Sequence, residues 1–208
     1  MEDVTLVIGT KNLSSWSLRP WLVLRHAEIP FTEVVVALDQ PDTASEIGRH
    51  SAAGKVPVLH HGDTTVWDSL AITEYLADRW PNRGIWPSDR NTRAVARSAV
   101  AEMHSGFATL REVMPMAFSE RRPHPGPTPA LDADIQRILS LWTDLRQRYA
   151  DDGEYLCGAI SAVDAFYAPV VSRFRTYGVA LSGPAADYAE AIWALPTMQE
   201  WLRGCSEG

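Results

Sequence analysis

Residues 81–91, PNRGIWPSDRN, carry two prolines and a glycine between two stretches of different patterning. Ahead of this break, apolar residues come in short runs. Behind it they recur every three or four positions, the spacing of one helical face. A chain divided in this way is expected to fold as an α/β unit over 1–80, a linker over 81–91 and an all-helical unit over 92–208.

The first unit begins with Val4, Leu6 and Ile8 alternating around Thr5 and Val7, which predicts a strand. FTEVVVAL is a second, rich in β-branched residues, and KVPVLHHGDTTVWD predicts two short strands around a Gly-Asp turn. DQPDTASEIGRHSAAG between them has no clear period and is expected to be a long connection. SLAITEYLADRW closes the unit as a helix. In the second unit, Val95, Ala99, Met103, Phe107, Leu110 and Met114 form one sustained apolar face. A second stripe runs from Ile135 to Tyr149, after the proline-rich PMAFSERRPHPGPTPA. SAVDAFYAPVVSRFRTYG opens with Ser161 and Asp164 in capping-box spacing and ends on Gly178, and TMQEWLRGC makes a last helix.

The stretch TKNLSSWSLRPWLVLRHA holds more hydroxyls than a helix start requires. Proline fits a helix in its first turn, where its missing N–H would have no partner. Pro20 therefore predicts a helix from about Ser17, with Ser17 as its cap, to about Ala27. One serine is enough to cap a helix, so the extra hydroxyls suggest that something is held there.

Charge and composition narrow the partners. With 19 basic and 26 acidic residues in 208, the formal charge is −7, which argues against nucleic acid and acidic membranes as partners. No apolar run approaches the roughly 20 residues of a bilayer span. The acidic opening MEDVTLVIG passes straight into a strand pattern, unlike a signal peptide. Two cysteines, Cys157 and Cys205, make neither a disulfide framework nor a CxxC pair, so the expected compartment is the reducing cytoplasm. Adjacent His60 and His61 on a strand point to opposite faces, which disfavours a metal site.

The order α/β unit, proline-rich linker, helical unit resembles the cytosolic glutathione transferase superfamily, whose members join a thioredoxin-like N-terminal domain to an all-α C-terminal domain. Three segments carry the resemblance: VPVL at 56–59, similar to the family's cis-proline segment; WDSLAITEYLADRWP, similar to its glutathione-binding acidic-Ser segment; and SAVDAFYAPV, similar to the capping box of a buried helix. SSWSLR is further similar to the SSCSWR signature of zeta-type members, departing from it at Trp16, which stands where the cysteine would and counts against zeta-type isomerisation. With hydroxyls and no tyrosine ahead of the first helix, the resemblance is to a serine-type enzyme.

The resemblance implies the rest. Glutathione would be the co-substrate, its peptide pairing with the main chain at Val56 and Pro57, with Lys55 nearby. Its γ-glutamyl end would meet Asp68 and Ser69 at a helix start. Ser14, then Ser15, would hold the sulfur as thiolate. Leu13, Trp16, Met103, His104, Phe107 and Arg111 would border a pocket for a small apolar electrophile, in a homodimer. The rival activity is glutathione-dependent cis–trans isomerisation of the maleylacetoacetate type. A non-catalytic interaction module is the rival outside catalysis.

Overall fold

The computed structural model describes residues 3–206. Four strands, β1 (Val4–Gly9), β2 (Thr32–Val36), β3 (Val58–His61) and β4 (Thr64–Trp67), form one sheet in the order β2-β1-β3-β4. β1 and β2 run parallel, so the chain between them must cross over the sheet, and α1 (Ser15–His26) makes that crossing. β3 returns antiparallel to β1 with Leu6 opposite Leu59, and β4 hairpins back with His61 opposite Thr64. Strand alternation divides the two histidines as their adjacency predicts: His60 Nδ1 lies 3.0 Å from Thr65 Oγ1, and His61 Nδ1 lies 2.7 Å from Tyr75 Oη.

α1 departs from expectation at its start. Its N-cap is Ser14, whose Oγ accepts from the Ser17 N–H, so the helix begins two residues ahead of Ser17. Pro20 consequently lies inside the helix, in its second turn, where it withholds a donor from the Trp16 carbonyl. A short helix, α2 (Thr43–Gly48), occupies the segment expected to be loop; of its residues only Ile47 is buried. α3 (Ser69–Arg79) follows β4 directly.

The second half holds α4 (Arg90–Ser105), which begins within the last two residues of the expected 81–91 linker, then α5 (Ala108–Val113), α6 (Pro129–Arg148), α7 (Ala162–Tyr177), α8 (Gly183–Ala194) and α9 (Pro196–Gly204). The apolar stripe expected to be continuous from Val95 to Met114 is cut at Gly106–Phe107. There the chain leaves α4, and Phe107 adopts φ 56° as the N-cap of α5. The Ile135–Tyr149 stripe belongs to α6, which starts earlier, behind a Thr128 cap with Pro129 at its first position. α7 ends as its sequence predicts, on Gly178 in the left-handed region. α8 was not anticipated as a helix of its own.

One core runs through both halves. Val4, Leu6, Ile8, Trp21 and Ile72 belong to the same buried cluster as Met103, Trp142, Phe166 and Trp201. α1 packs on α7, and Leu22 and Val23 of the one line a small cavity with Ala162, Ala165 and Ala168 of the other.

Candidate active site

A cleft of about 710 Å³ opens where three turns of the first half converge. Leu13, Ser14, Ser15 and Trp16 come from the start of α1, Lys55, Val56 and Pro57 from the approach to β3, and Asp68 and Ser69 from the start of α3. Segments more than fifty residues apart thus share one wall. The Val56–Pro57 peptide bond is cis.

At the α1 end, hydroxyls bond to one another. Ser14 Oγ and Ser17 Oγ lie 2.7 Å apart, and Ser17 Oγ accepts from the Gly9 N–H at 3.1 Å. Ser17 is completely buried, so it belongs to the scaffold, whereas Ser14 and Ser15 keep 5% exposure on the cleft wall. Ser15 Oγ accepts from Arg173 Nη2 of α7 at 3.1 Å.

At the α3 end, Asp68 is both cap and wall. Its Oδ1 accepts from the Leu70 and Ala71 N–H groups at 2.8 and 3.3 Å. Its backbone sits at φ 76°, a region that costs a non-glycine residue energy and is found preferentially at functional sites. The adjacent Ser69 Oγ is buried without a hydrogen-bond partner among the described residues, at a helix start whose Leu70 and Ala71 N–H groups Asp68 already caps. A buried hydroxyl at the positive end of a helix suits an anion.

Beneath Trp16 lies a set of cations. The Arg19 guanidinium stacks 4.0 Å from the Trp16 ring centre and 4.9 Å from that of Phe166. It is fully buried, and none of its three nitrogens has a hydrogen-bond partner among the described residues. Burial, with Arg173 and Arg111 as like-charged neighbours, pushes its pKa down to about 9. Arg173 is pushed down to about 10, first by burial and then by Arg111. Both remain cationic at neutral pH.

Of the residues expected to border an electrophile pocket, Leu13 and Trp16 line the cleft. His104 stands just behind it, its Nε2 3.2 Å from Asp68 Oδ2 and its ring edge-on to Trp16 at 5.3 Å. Burial lowers its pKa, and the pull of Asp68 upward is countered by Arg19 and Arg111, so the ring is held toward its neutral form. Arg111 lies 5.5 Å from the Trp16 ring centre and donates to the Met103 and Gly106 carbonyls. Met103 and Phe107 depart from expectation: they are 0% and 7% exposed and pack in the core, because their helical stripe faces the bundle. Arg19 and Arg173, by contrast, escaped sequence reasoning altogether. Arginines on apolar helices signal nothing until the fold buries them together.

Asp164 has the structural role expected of it, accepting from the Ser161 and Leu156 N–H groups at 2.8 and 3.0 Å. Cys157 and Cys205 are free, and burial pushes their thiols up to about 12 and about 11, which removes them as nucleophiles at neutral pH. Among the described residues no group of His, Cys, Asp and Glu could hold a metal ion, and no helix is long and apolar enough to cross a membrane.

Known proteins share this frame. Residues 13–79 match the family model described as glutathione S-transferase, N-terminal domain. The chain is 34% identical over 102 residues to "Glutathione S-transferase U13" of Arabidopsis thaliana, covering 46% of this chain and 43% of that one. It is 29% identical over 122 residues to "Glutathione S-transferase 1" of Dianthus caryophyllus, covering 58% and 55%. The chain thus spans about half the length of the curated relatives it matches. The likeness to solved structures covers everything: a glutathione transferase homolog from Burkholderia, solved with bound glutathione, superposes over 100% of both chains with a TM-score of 0.76 at 25% identity. The four-stranded sheet, the helical second half and these likenesses together give the chain the glutathione S-transferase fold, with residues 13–79 similar to that family's N-terminal domain.

Proposed function

We propose that the chain is a glutathione transferase that ionises the thiol of glutathione and adds its sulfur to a small apolar electrophile. The observation that carries this is the convergence on one cleft of the Ser14–Ser15 hydroxyls, the Val56–Pro57 segment and the Asp68–Ser69 helix start. These are the three contacts a γ-glutamyl tripeptide needs: donors for the sulfur, an extended backbone to pair with, and a helix N-terminus for a carboxylate. The relatives named as glutathione S-transferases and the Burkholderia homolog with bound glutathione support the same reading.

The energetics are adequate. A free thiol of pKa about 8.5 is only about 3% ionised at pH 7, and lowering its pKa by about 2 requires ~2.7 kcal/mol of preference for the thiolate. One hydroxyl donor to an anion contributes roughly 1.5–3 kcal/mol, and a helix N-terminus about 0.3–1 kcal/mol more. The buried cations beneath Trp16 add to the same potential. The thiol proton passes to solvent, and the thiolate's electron pair forms the carbon–sulfur bond. The pair displaced on the electrophile departs with its leaving group or takes a proton from solvent, so no covalent enzyme intermediate is needed. The acceleration comes from ionising and placing the nucleophile. Lys55, on the exposed rim, and Asp68 would meet the charged groups of the peptide. Leu13 and Trp16 would form the apolar wall facing the electrophile. The working form would be a cytoplasmic homodimer.

Calorimetry with glutathione tests the core of the proposal, and saturable binding at one site per chain is expected. Product analysis then separates the chemistries. Net consumption of glutathione supports conjugation. Its full recovery alongside an isomerised product replaces transfer by isomerisation. Absence of binding turns the fold into an interaction module.

A further inference from the structure

The two hydroxyls on the cleft wall are held differently. Ser14 belongs to the hydroxyl pair with Ser17 and caps its own helix. Ser15 is held from across the molecule. The Arg173 side chain, 3% exposed, donates from Nε to the Met114 carbonyl at 2.9 Å, from Nη1 to the Pro169 carbonyl at 3.4 Å and from Nη2 to Ser15 Oγ at 3.1 Å. A serine hydroxyl has two lone pairs and one proton. With one lone pair engaged by a guanidinium behind it, the proton must point elsewhere. Among the described residues Arg173 is the one side chain bonded to Ser15 Oγ, and the open direction is the cleft.

We propose that Arg173 is a positioning residue for the thiol: by donating to Ser15 Oγ from α7, it turns the Ser15 proton into the cleft, where that proton meets the glutathione sulfur. This rests on the proposed glutathione transferase activity and assigns the sulfur contact to Ser15 ahead of Ser14. A hydroxyl that accepts from a cation is also the stronger donor, because charge-assisted bonds polarise those that follow. Arginine suits the role better than lysine. Three acceptors on three different segments are met by one flat fork, and the cation has no carboxylate to neutralise it. The charged and titratable groups facing this network are Arg19 and Arg111, the Tyr177 hydroxyl, and, around the cleft, Lys55, Asp68 and His104.

The test is a spectroscopic titration of the bound thiol in the full chain with glutathione, comparing wild type with Ser14→Ala, Ser15→Ala, Arg173→Met and the Ser15→Ala/Arg173→Met double variant. Ser15→Ala is expected to raise the thiol pKa by about 1 to 2, the equivalent of one lost donor to an anion. Arg173→Met should raise it comparably, Ser14→Ala less, and the double variant no further than Ser15→Ala alone. Arg173→Lys, which keeps the charge but not the three-way fork, takes the place of Arg173→Met should that variant unfold. An unchanged titration in Ser15→Ala overturns the assignment on its own. So does an Arg173 effect that persists in the Ser15→Ala background, since the cation would then act through its field rather than through the hydroxyl. Wild type that fails to bind glutathione in calorimetry brings down the transferase reading as well, whereas binding with normal affinity and an unmoved thiol pKa brings down the relay alone.

Discussion

The two helices that meet in the middle of the molecule, α1 and α7, both begin on serine, yet they begin differently. At α7 the cap is closed: Asp164 returns to the Ser161 N–H, takes the Leu156 N–H as well, and is 1% exposed. At α1 the cap is open: Ser14 serves the helix, and the next residue turns its hydroxyl to a cleft and to a cation on the other helix. A cap needs one acceptor for the first-turn donors. Polar groups beyond that number, at a helix start that faces a cavity, are held for something outside the chain.

The contrast is broken most forcefully at the closed end. Asp164→Ala leaves two buried N–H groups without an acceptor, at about 1–3 kcal/mol each, so a loss of about 2–6 kcal/mol is expected in urea denaturation. The matching truncation at the open end, Ser14→Ala, should cost about 1 kcal/mol. Equal losses would mean that the two starts do the same work. Next comes a change in the opposite direction. Arg19 is a buried cation with no hydrogen-bond partner among the described residues, and exchanging buried charge for apolar bulk commonly stabilises by about 1–4 kcal/mol. Arg19→Met is therefore expected to raise the melting temperature while raising the pKa of the bound thiol. A lower melting temperature would make Arg19 a structural residue and no part of the site.

The smallest effect concerns the third helix start, at Asp68. His104 resists protonation in the fold because of burial and the arginines nearby, so the unfolded chain takes up that proton first on acidification. Stability should decline modestly as pH falls below about 6.5, the pKa of unperturbed histidine. His104→Gln should remove that part of the slope, and an unaltered slope would assign it to other groups.

Much of this frame was legible from residue patterns, and its gaps have physical causes. The alternation in β1, the β-branched run of β2, the hairpin of β3 and β4 and the Gly178 stop are local signals, and each appears where the sequence puts it. α2 buries only Ile47, too little to impose a period. The break between α4 and α5 is one left-handed residue, Phe107, inside an unbroken apolar spacing. α1 starts early because Ser14 captures the Ser17 N–H, a competition that the first-turn rule for proline does not weigh. α8 did leave a trace: Ser182 ahead of Gly183 and Pro184, then buried Ala185, Tyr188, Ala189 and Ile192 at helical intervals. The site divides likewise. Short motifs expose Ser14, Ser15, Val56, Pro57, Asp68 and Ser69, whereas the bond from Arg173 to Ser15 joins positions 158 apart and is invisible until the chain folds.

The packing of α1 on α7 bears on how proteins of this architecture diverge. A chimera built by cutting at the proline-rich break and grafting on a foreign helical half inherits a mismatched seam, and with it a different anchor behind Ser15. On the proposed role of Arg173, recombination at that boundary would change two properties together: how the first half is clamped and how readily sulfur surrenders its proton.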